Sequence, residues 1–323
     1  GQNSRGMVTV YHNRIVTDED IRRVIDAAQV LIPNDREVLH ILPQEFIVDD
    51  QDGVQNPLGM AAARLEVNVH IVTGSVTSAQ NIIKCCNQSG LDVEDIVLEP
   101  LSSSQAVLSP DEQEVGVVLV DIGGGTTDVT IYSEGSIVHT AVLALGGNHL
   151  THDIAIGLGA PLHEAEEIKH NFGVAMSSMV KEDEMIDVPS VGGRNNRTMK
   201  KRVLASIIED RFREIFELIT HEIEKTHFHT LMASGVVITG GTCIMPGADR
   251  LASQVLNLPV RVGYPENIAG LREMIYSPKY ATSVGLVRYG ITSNQGKLNF
   301  VGDDTNLFHK VSRRMKDWMQ DFF

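Results

Sequence analysis

The nine residues Val120-Asp121-Ile122-Gly123-Gly124-Gly125-Thr126-Thr127-Asp128 constrain the fold of this chain more than any other stretch. The apolar run Val117-Val118-Leu119-Val120 reads as a buried strand that delivers Asp121 to a turn of three glycines. A second strand is expected to return over residues 129–133. Glycine carries no side chain, so such a turn can bend tightly and present bare N–H groups to a phosphate. The hydroxyls of Thr126 and Thr127 add donors. Asp121 is suited to hold Mg²⁺ through water, because Mg²⁺ keeps much of its hydration shell. A strand–turn–strand differs from a P-loop and from a dinucleotide fingerprint, since both of those open a helix. The bland alternative is a glycine-rich hairpin with a structural Asp.

A second buried strand, Val236-Val237-Ile238-Thr239, ends at Gly240-Gly241-Thr242, with a helix expected near Gly247. Backbone without side chains can lie flat against a nucleoside, although T-G-G after a strand is often only a tight turn. Between the two clusters, Leu145-Gly146-Gly147-Asn148-His149 is a glycine turn feeding a helix. Ala165-Glu166-Glu167-Ile168-Lys169 sets Glu166 and Lys169 three apart on one helix face, and alone this pair reads as an exposed salt bridge. His221, His227 and His229 have no carboxylate or cysteine to complete a ligand set, so surface or capping roles are expected. No Ser–His–Asp arrangement stands out.

Composition narrows the classes. The chain has 323 residues, 42% apolar and 21% charged, enough for about two domains with a sizeable core and unlike a disordered tail. Asp and Glu number 42 against 27 Lys and Arg, a net charge of -15. That surface repels phosphate backbones, so no nucleic-acid partner is expected. Cys85, Cys86 and Cys243 form neither a C-x-x-C pair nor a disulfide framework, which fits a reducing, cytoplasmic compartment. No apolar run approaches the roughly 20 residues that span a bilayer. The segment Gly1–Val10 does not resemble a signal peptide, and without an initiator Met the chain is expected to begin inside a longer protein.

Thr17 followed by Asp18 and Glu19 predicts a helix start, with apolar residues on one face through 18–32 and a stop at Pro33-Asn34-Asp35. Leu65–Ile71 alternates as a half-buried strand, so an α+β module is expected over 1–75. Beyond it the pattern predicts a helix at 76–88, a strand at 94–98 and a short helix at 102–109. A hairpin turn at Ser133-Glu134-Gly135-Ser136 leads to a strand at 137–143. Residues 178–200 read as irregular, 201–232 as one or two long helices, 235–239 as a strand and 291–305 as a polar linker.

The order of phosphate hairpin, G-G helix, E-x-x-K helix, T-G-G turn and Ala281-Thr282-Ser283-Val284-Gly285 resembles the superfamily of actin, Hsp70 and sugar kinases. Within it the chain is most similar to the FtsA family of bacterial cell-division proteins. Ser4–Met7, His40–Glu45, Asn56–Met60, Leu65–Gly74, Val118–Asp128 and Ala165–Lys169 carry that resemblance. It implies an α/β, actin-like ATPase fold of ribonuclease-H-like domains. Residues 1–75 would be an FtsA-type subdomain 1C, and 76–115 the remainder of subdomain 1A. Residues 116–172 and 233–290 would be subdomain 2A, and 173–232 subdomain 2B.

The resemblance also implies ATP and Mg²⁺ as cofactors. Asp121 would hold the metal through water, Gly123, Gly124, Gly125, Thr126 and Thr127 the phosphates, and Gly146 and Gly147 the adjoining turn. Gly240, Gly241 and Thr242 would face the nucleoside, with Glu166 and Lys169 on ribose and adenine. Proteins of this fold clamp the nucleotide between two D-x-G hairpins. This chain carries one, so the first is expected upstream of Gly1. Only Asp128 and Glu114 offer a general base, so slow hydrolysis at most is expected.

The expected partners are the FtsZ C-terminal tail on 173–232, further copies of the chain in a filament, late division proteins such as FtsN on 1–75, and anionic lipid. Together they place the chain peripherally on the cytoplasmic face of the cell membrane, at the septum. A PilM-like pilus assembly ATPase and a sugar- or acetate-kinase-type phosphotransferase are the alternatives. An Hsp70-like chaperone would need a peptide-binding domain, and only about 30 residues follow Gly290.

Residues 306–323 show the membrane signal. Leu307, Phe308, Val311, Met315, Trp318, Met319 and Phe322 recur at three- and four-residue spacing, with Lys310, Arg313, Arg314 and Lys316 off that stripe. The segment is net +2 in a chain otherwise at -17, and it holds the sole tryptophan. Such a helix is expected to lie in the membrane interface, the alternative being a helix docked on the protein's own core.

Overall fold

A computed structural model of the chain describes residues 1–11, 14–28, 33–191, 195–226, 232–266, 268 and 272–295. They group into two compact units. One comprises Gly1–Leu101, Ser136–Thr140 and the described residues after Gly285; the other comprises Ser102–Gly135 and Ala141–Gly285.

The first unit is built on β1 (Gln2–Thr9), α1 (Asp18–Ala27), β2 (Arg36–Val48), β3 (Gln51–Val54) and β4 (Arg64–Ser75). Their sheet runs β1-β4-β2-β3 with antiparallel pairing, Gly6 opposite Val67 and Ile41 opposite Ile71. Thr17 caps α1 as its sequence suggests: Thr17 Oγ1 accepts the Asp20 N–H and Asp20 Oδ2 accepts the Thr17 N–H at 3.1 Å. Val24 and Ile25 of α1 then bury against Leu65, Val67, Val69 and Ile71. Glycine is required at position 6, where a Cβ would press on the Val24 carbonyl and Ala28 of α1. The helix ends at Ala27 with Ala28 as cap, short of the expected 18–32, and 29–32 lie outside the described residues.

The strand expected to be half-buried at 65–71 is covered on both faces. Glu66 is buried and held by Arg5 and Arg64, with Arg64 Nε 2.9 Å from its carboxylate. His70, also buried, sits between Asn3 Oδ1 at 2.6 Å and Thr140 Oγ1 at 2.9 Å. Burial first, then the nearby N-terminal amine and His139, push its pKa down to about 4. The polar half of the alternation is therefore a paired interior rather than a wet face.

Helix α2 (Val76–Gln88) matches its sequence pattern. The strand expected at 94–98 does not form. In its place the Leu98 N–H is satisfied by His40 Nε2 at 3.0 Å, a side-chain substitute for a ladder bond, and α3 (Glu99–Val107) follows at once. That helix begins three residues before the expected 102, with Pro100 in its first turn.

The chain continues through α4 (Pro110–Val115), β5 (Val117–Ile122), β6 (Thr127–Ser133), β7 (Ser136–Leu143, with Ser136–Thr140 in the first unit), α5 (Gly147–Leu158) and α6 (Leu162–Phe172). They are followed by β8 (Met185–Val188), β9 (Arg197–Lys200), α7 (Lys201–Glu224), β10 (Val236–Thr239), α8 (Ala248–Leu256), β11 (Val260–Val262), α9 (Arg272–Ile275) and α10 (Ala281–Gln295). The sheet order is β11-β10-β5-β6-β7, with β10 parallel to both β5 and β11 and β5 antiparallel to β6. The turn at Glu134-Gly135 has both residues at positive φ, the geometry that matches strand twist in a two-residue hairpin. Helix α7 buries Leu204, Ile208, Phe212, Ile215 and Ile219, a stripe of helical period.

Three expectations change here. Residues 178–200, expected to be irregular, contain the β8–β9 ladder from Met185↔Lys200 to Val188↔Arg197. The 201–232 region is one helix to Glu224, and residues 227–231 lie outside the described ones. The expected linker at 291–305 begins as helix, since α10 runs to Gln295. Residues 296–323, and with them the expected amphipathic helix, lie outside the described residues. No helix among the described residues is long and apolar enough to cross a membrane.

Candidate functional site

Strands β5 and β6 pair from Val117↔Tyr132 to Ile122↔Thr127, leaving Gly123–Thr126 as the connecting turn. The Gly123 N–H closes it on the Thr126 carbonyl at 2.9 Å. Gly124, Gly125 and Thr126 are exposed, and no atom lies within 4 Å of where a Cβ on Gly125 would stand. At the base Thr127 is buried, its hydroxyl donated to the Leu145 carbonyl at 2.8 Å. Sequence reasoning assigned that hydroxyl to phosphate; the structure uses it to tie the turn to the next loop.

The turn's carbonyls are taken up by the start of α5. The Gly147 N–H donates to Gly123 O at 2.9 Å and the Asn148 N–H to Gly124 O at 2.7 Å. Such close backbone approach explains Gly146, where a Cβ would stand 2.7 Å from Gly123 O, and Gly147, where it would stand 2.5 Å from Thr242 Oγ1. Thr242 Oγ1 adds a second bond to Gly123 O at 2.9 Å. The helix N-terminus is thus engaged in holding the turn, and the open surface is the glycine tip.

The T-G-G segment meets the same turn. Buried β10 ends at Thr239, whose hydroxyl reaches Gly263 O at 3.1 Å. Gly240 has φ +92, and a Cβ there would sit 2.5 Å from both Asp121 Oδ1 and Ile122 O. Gly241 is exposed beside Lys279, whose Cβ is 3.7 Å from the place of a Gly241 Cβ. Cys243, next in line, is buried, and burial, then the charge of Asp121, pushes its thiol up. It is an inert core thiol.

Asp121 is 3% exposed and stands on β5 opposite Asp128 on β6. Its Oδ2 accepts the Thr282 hydroxyl at 3.3 Å. A carboxylate set this deep behind an exposed glycine tip suits a cation reached through water better than direct ligation. The exposed glycine tip fits a phosphate, and the buried acid behind it requires a cation between the two.

Glu166 and Lys169 form an ion pair at 2.8 Å, but the pair is not the exposed bridge its spacing suggests. Lys169 is buried, with Nζ 3.1 Å from Gly147 O and 2.8 Å from Thr151 Oγ1. Glu166 also accepts from Thr151 and lies 3.0 Å from His170 Nε2. Burial raises the Glu166 pKa, yet hydrogen bonds from Lys169 and Thr151, with the charges of Lys169 and His170, outweigh it and hold the carboxyl below its usual value. The pair therefore braces the first turn of α5 from beneath.

Turn, α5 start, T-G-G segment and E-x-x-K pair thus converge within one unit. Sequence reasoning named Thr282 in its motif without a site role and missed Lys279; they join the site through contacts with Asp121 and Gly241. Among the described residues no group of three His, Cys, Asp or Glu could hold a metal by direct ligation.

The comparisons with known proteins decide the family. The family model "Cell division protein FtsA" matches residues 118–285, and that of the "SHS2 domain inserted in FTSA" matches residues 1–73. Cell division protein FtsA of Pseudomonas aeruginosa is 43% identical over 99% of this chain and 78% of its own length. The chain belongs to the FtsA family. FtsA of Escherichia coli K12 is 38% identical over 100% of the chain and 79% of its own length. Among solved structures, MreB5 of Spiroplasma citri bound to ADP superposes with a TM-score of 0.57 at 19% identity, covering 70% of this chain and 69% of that one. A PilM-PilN type IV pilus biogenesis complex gives 0.58 at 15% identity, covering 90% and 76%. These likenesses establish an actin-like fold, and the FtsA matches set a role in cell division.

Proposed function

We infer that this FtsA-family chain is a nucleotide-binding division adaptor that polymerises at the cytoplasmic membrane and anchors FtsZ filaments to it at the septum. The exposed Gly124-Gly125-Thr126 tip carries the reading, because the neighbouring helix start is engaged with the turn's own carbonyls and leaves that tip for an anion. MreB5 of Spiroplasma citri, of the same fold, was crystallised with ADP and with AMPPNP.

In this reading Gly123, Gly124, Gly125 and Thr126 receive the phosphates, and Gly240, Gly241 and Thr242 face the nucleoside. Asp121 holds Mg²⁺ through water, and Glu166 and Lys169, which brace Gly147 beneath the cradle, meet the ribose and adenine. Mg²⁺, when bound, supplies positive charge against the phosphate oxygens. Asp128 and Glu114 are the acids available as bases, so turnover is below roughly 10 per second and binding is the switch.

Residues 173–232, as subdomain 2B, receive the FtsZ tail. Residues 1–75, as subdomain 1C, meet the next filament copy and late division proteins such as FtsN. Residues 76–115 complete 1A, 116–172 and 233–290 form 2A, and 306–323 anchor the chain on anionic lipid beyond the linker 291–305. Calorimetric titration of the full chain with ATP, with and without Mg²⁺, tests the site. Asp121→Ala is expected to abolish Mg²⁺-dependent binding; unchanged affinity refutes the metal role, and no binding by the parent refutes the nucleotide site.

A further inference from the structure

The first turn of α10 touches the candidate site and a second helix at once. Thr282 Oγ1 donates to Asp121 Oδ2 at 3.3 Å, while the Thr282 carbonyl accepts the Ser102 hydroxyl of α3 at 2.7 Å. One helical turn on, Gly285 lies so close to Ser102 that a Cβ would overlap the Ser102 carbonyl. Ser102 is fully buried, so its hydroxyl depends on this partner. The acid on the strand end is thereby joined to α3 through one residue 161 positions away.

We propose that Thr282 is a positioning residue that fixes the Asp121 carboxylate and passes its state to α3. The inference rests on the reading of Asp121 as the cation-holding acid of a nucleotide site. The hydroxyl selects one orientation of the carboxylate before a ligand arrives, so less ordering remains at binding. A hydrated cation draws on the carboxylate in that same orientation, and the Thr282 hydroxyl, still bonded to it, moves with it. The turn of α10 shifts with it, and Ser102 follows because its hydroxyl and backbone are both held by that turn. A hydroxyl is needed for this and a methyl is not, so serine should serve and valine should fail.

The test uses the full chain as parent, Thr282→Val, Thr282→Ser and Ser102→Ala. Mg-ATP affinity is read by calorimetry, and exchange of the α3 amides by mass spectrometry with and without Mg-ATP. Loss of one hydrogen bond to a charged group predicts roughly tenfold weaker binding for Thr282→Val, with α3 no longer responding to nucleotide. Thr282→Ser restores both, whereas Ser102→Ala keeps affinity and loses the α3 response. Parental affinity and α3 response in Thr282→Val overturn the proposal.

A ligand-free arm separates it from the reading beneath it. Asp121→Asn and Thr282→Val, singly and together, are compared by thermal unfolding. Non-additive losses support the Asp121–Thr282 coupling even if the parent fails to bind nucleotide, and additive losses overturn it.

Discussion

Glycines of the two clusters differ in what holds them, and Gly240→Ala against Gly125→Ala separates the cases. At Gly240 the backbone has φ +92, and an added Cβ would stand 2.5 Å from both Asp121 Oδ1 and Ile122 O. The left-handed conformation costs an L-residue about 1–2 kcal/mol, and overpacking against backbone adds about 1–3 kcal/mol. A loss of about 2–5 kcal/mol corresponds to a drop of roughly 5–15 °C in melting temperature for a unit of this size. At Gly125 nothing lies within 4 Å of the new Cβ, so Gly125→Ala should leave stability within about 0.5 kcal/mol of the parent. Its methyl would stand at the open tip, so Mg-ATP affinity should fall about tenfold, or about 1.4 kcal/mol. Scanning calorimetry of ligand-free protein reads the first effect, and nucleotide titration reads the second. Gly240→Ala within about 1 kcal/mol of the parent, or Gly125→Ala as the less stable of the two, refutes the geometry argued for the turn.

Lys169→Met removes a buried ammonium that holds Gly147 O, Thr151 Oγ1 and Glu166, and should cost about 2–4 kcal/mol in urea unfolding, part of it recovered when Glu166→Gln is added. The Glu166 carboxyl is held below its usual value in the folded chain, so its contribution is present above the unfolded pKa and fades as pH falls through the lower folded one. The gap in melting temperature between parent and Glu166→Gln should therefore close below about pH 4, and a gap that widens there contradicts the assignment. In sedimentation with anionic vesicles the parent should pellet and Trp318→Glu should stay soluble; equal pelleting ends the membrane-tether reading of 306–323.

Signals that are local in chemistry survived the passage from sequence to structure. The β5–β6 hairpin was legible because four apolar residues and three glycines state both strand and turn within a dozen positions. Strand β2 carried no such statement: Pro43 lies in its interior, tolerated by the register shift between Pro43 and Glu45. The opposite error occurred at 94–98, where the apolar triplet Ile96-Val97-Leu98 read as a strand and found a histidine instead of a neighbouring strand. The β8–β9 ladder stayed hidden because strands of four residues, the second of them largely polar, have too few alternations to define a period.

The site follows the same division between local and distant causes. That glycines are required was readable from composition, but the reason for each was not. Gly146 is small because the carbonyls of Gly123 and Gly124 approach it, Gly147 because Thr242 Oγ1 lies against it, and Gly240 because Asp121 and Ile122 do. The bond from Thr242 to Gly123 O spans 119 positions, and that from Thr282 to Asp121 spans 161. Neither follows from spacing, because only the parallel alignment of β10 with β5 brings the two strand ends level, Thr239 beside Asp121. An exposed tip arises at that level end for a reason of hydrogen-bond satisfaction. Donors from α5 and Thr242 engage the carbonyls on the inner side of the turn, leaving the glycine tip as the side that faces outward.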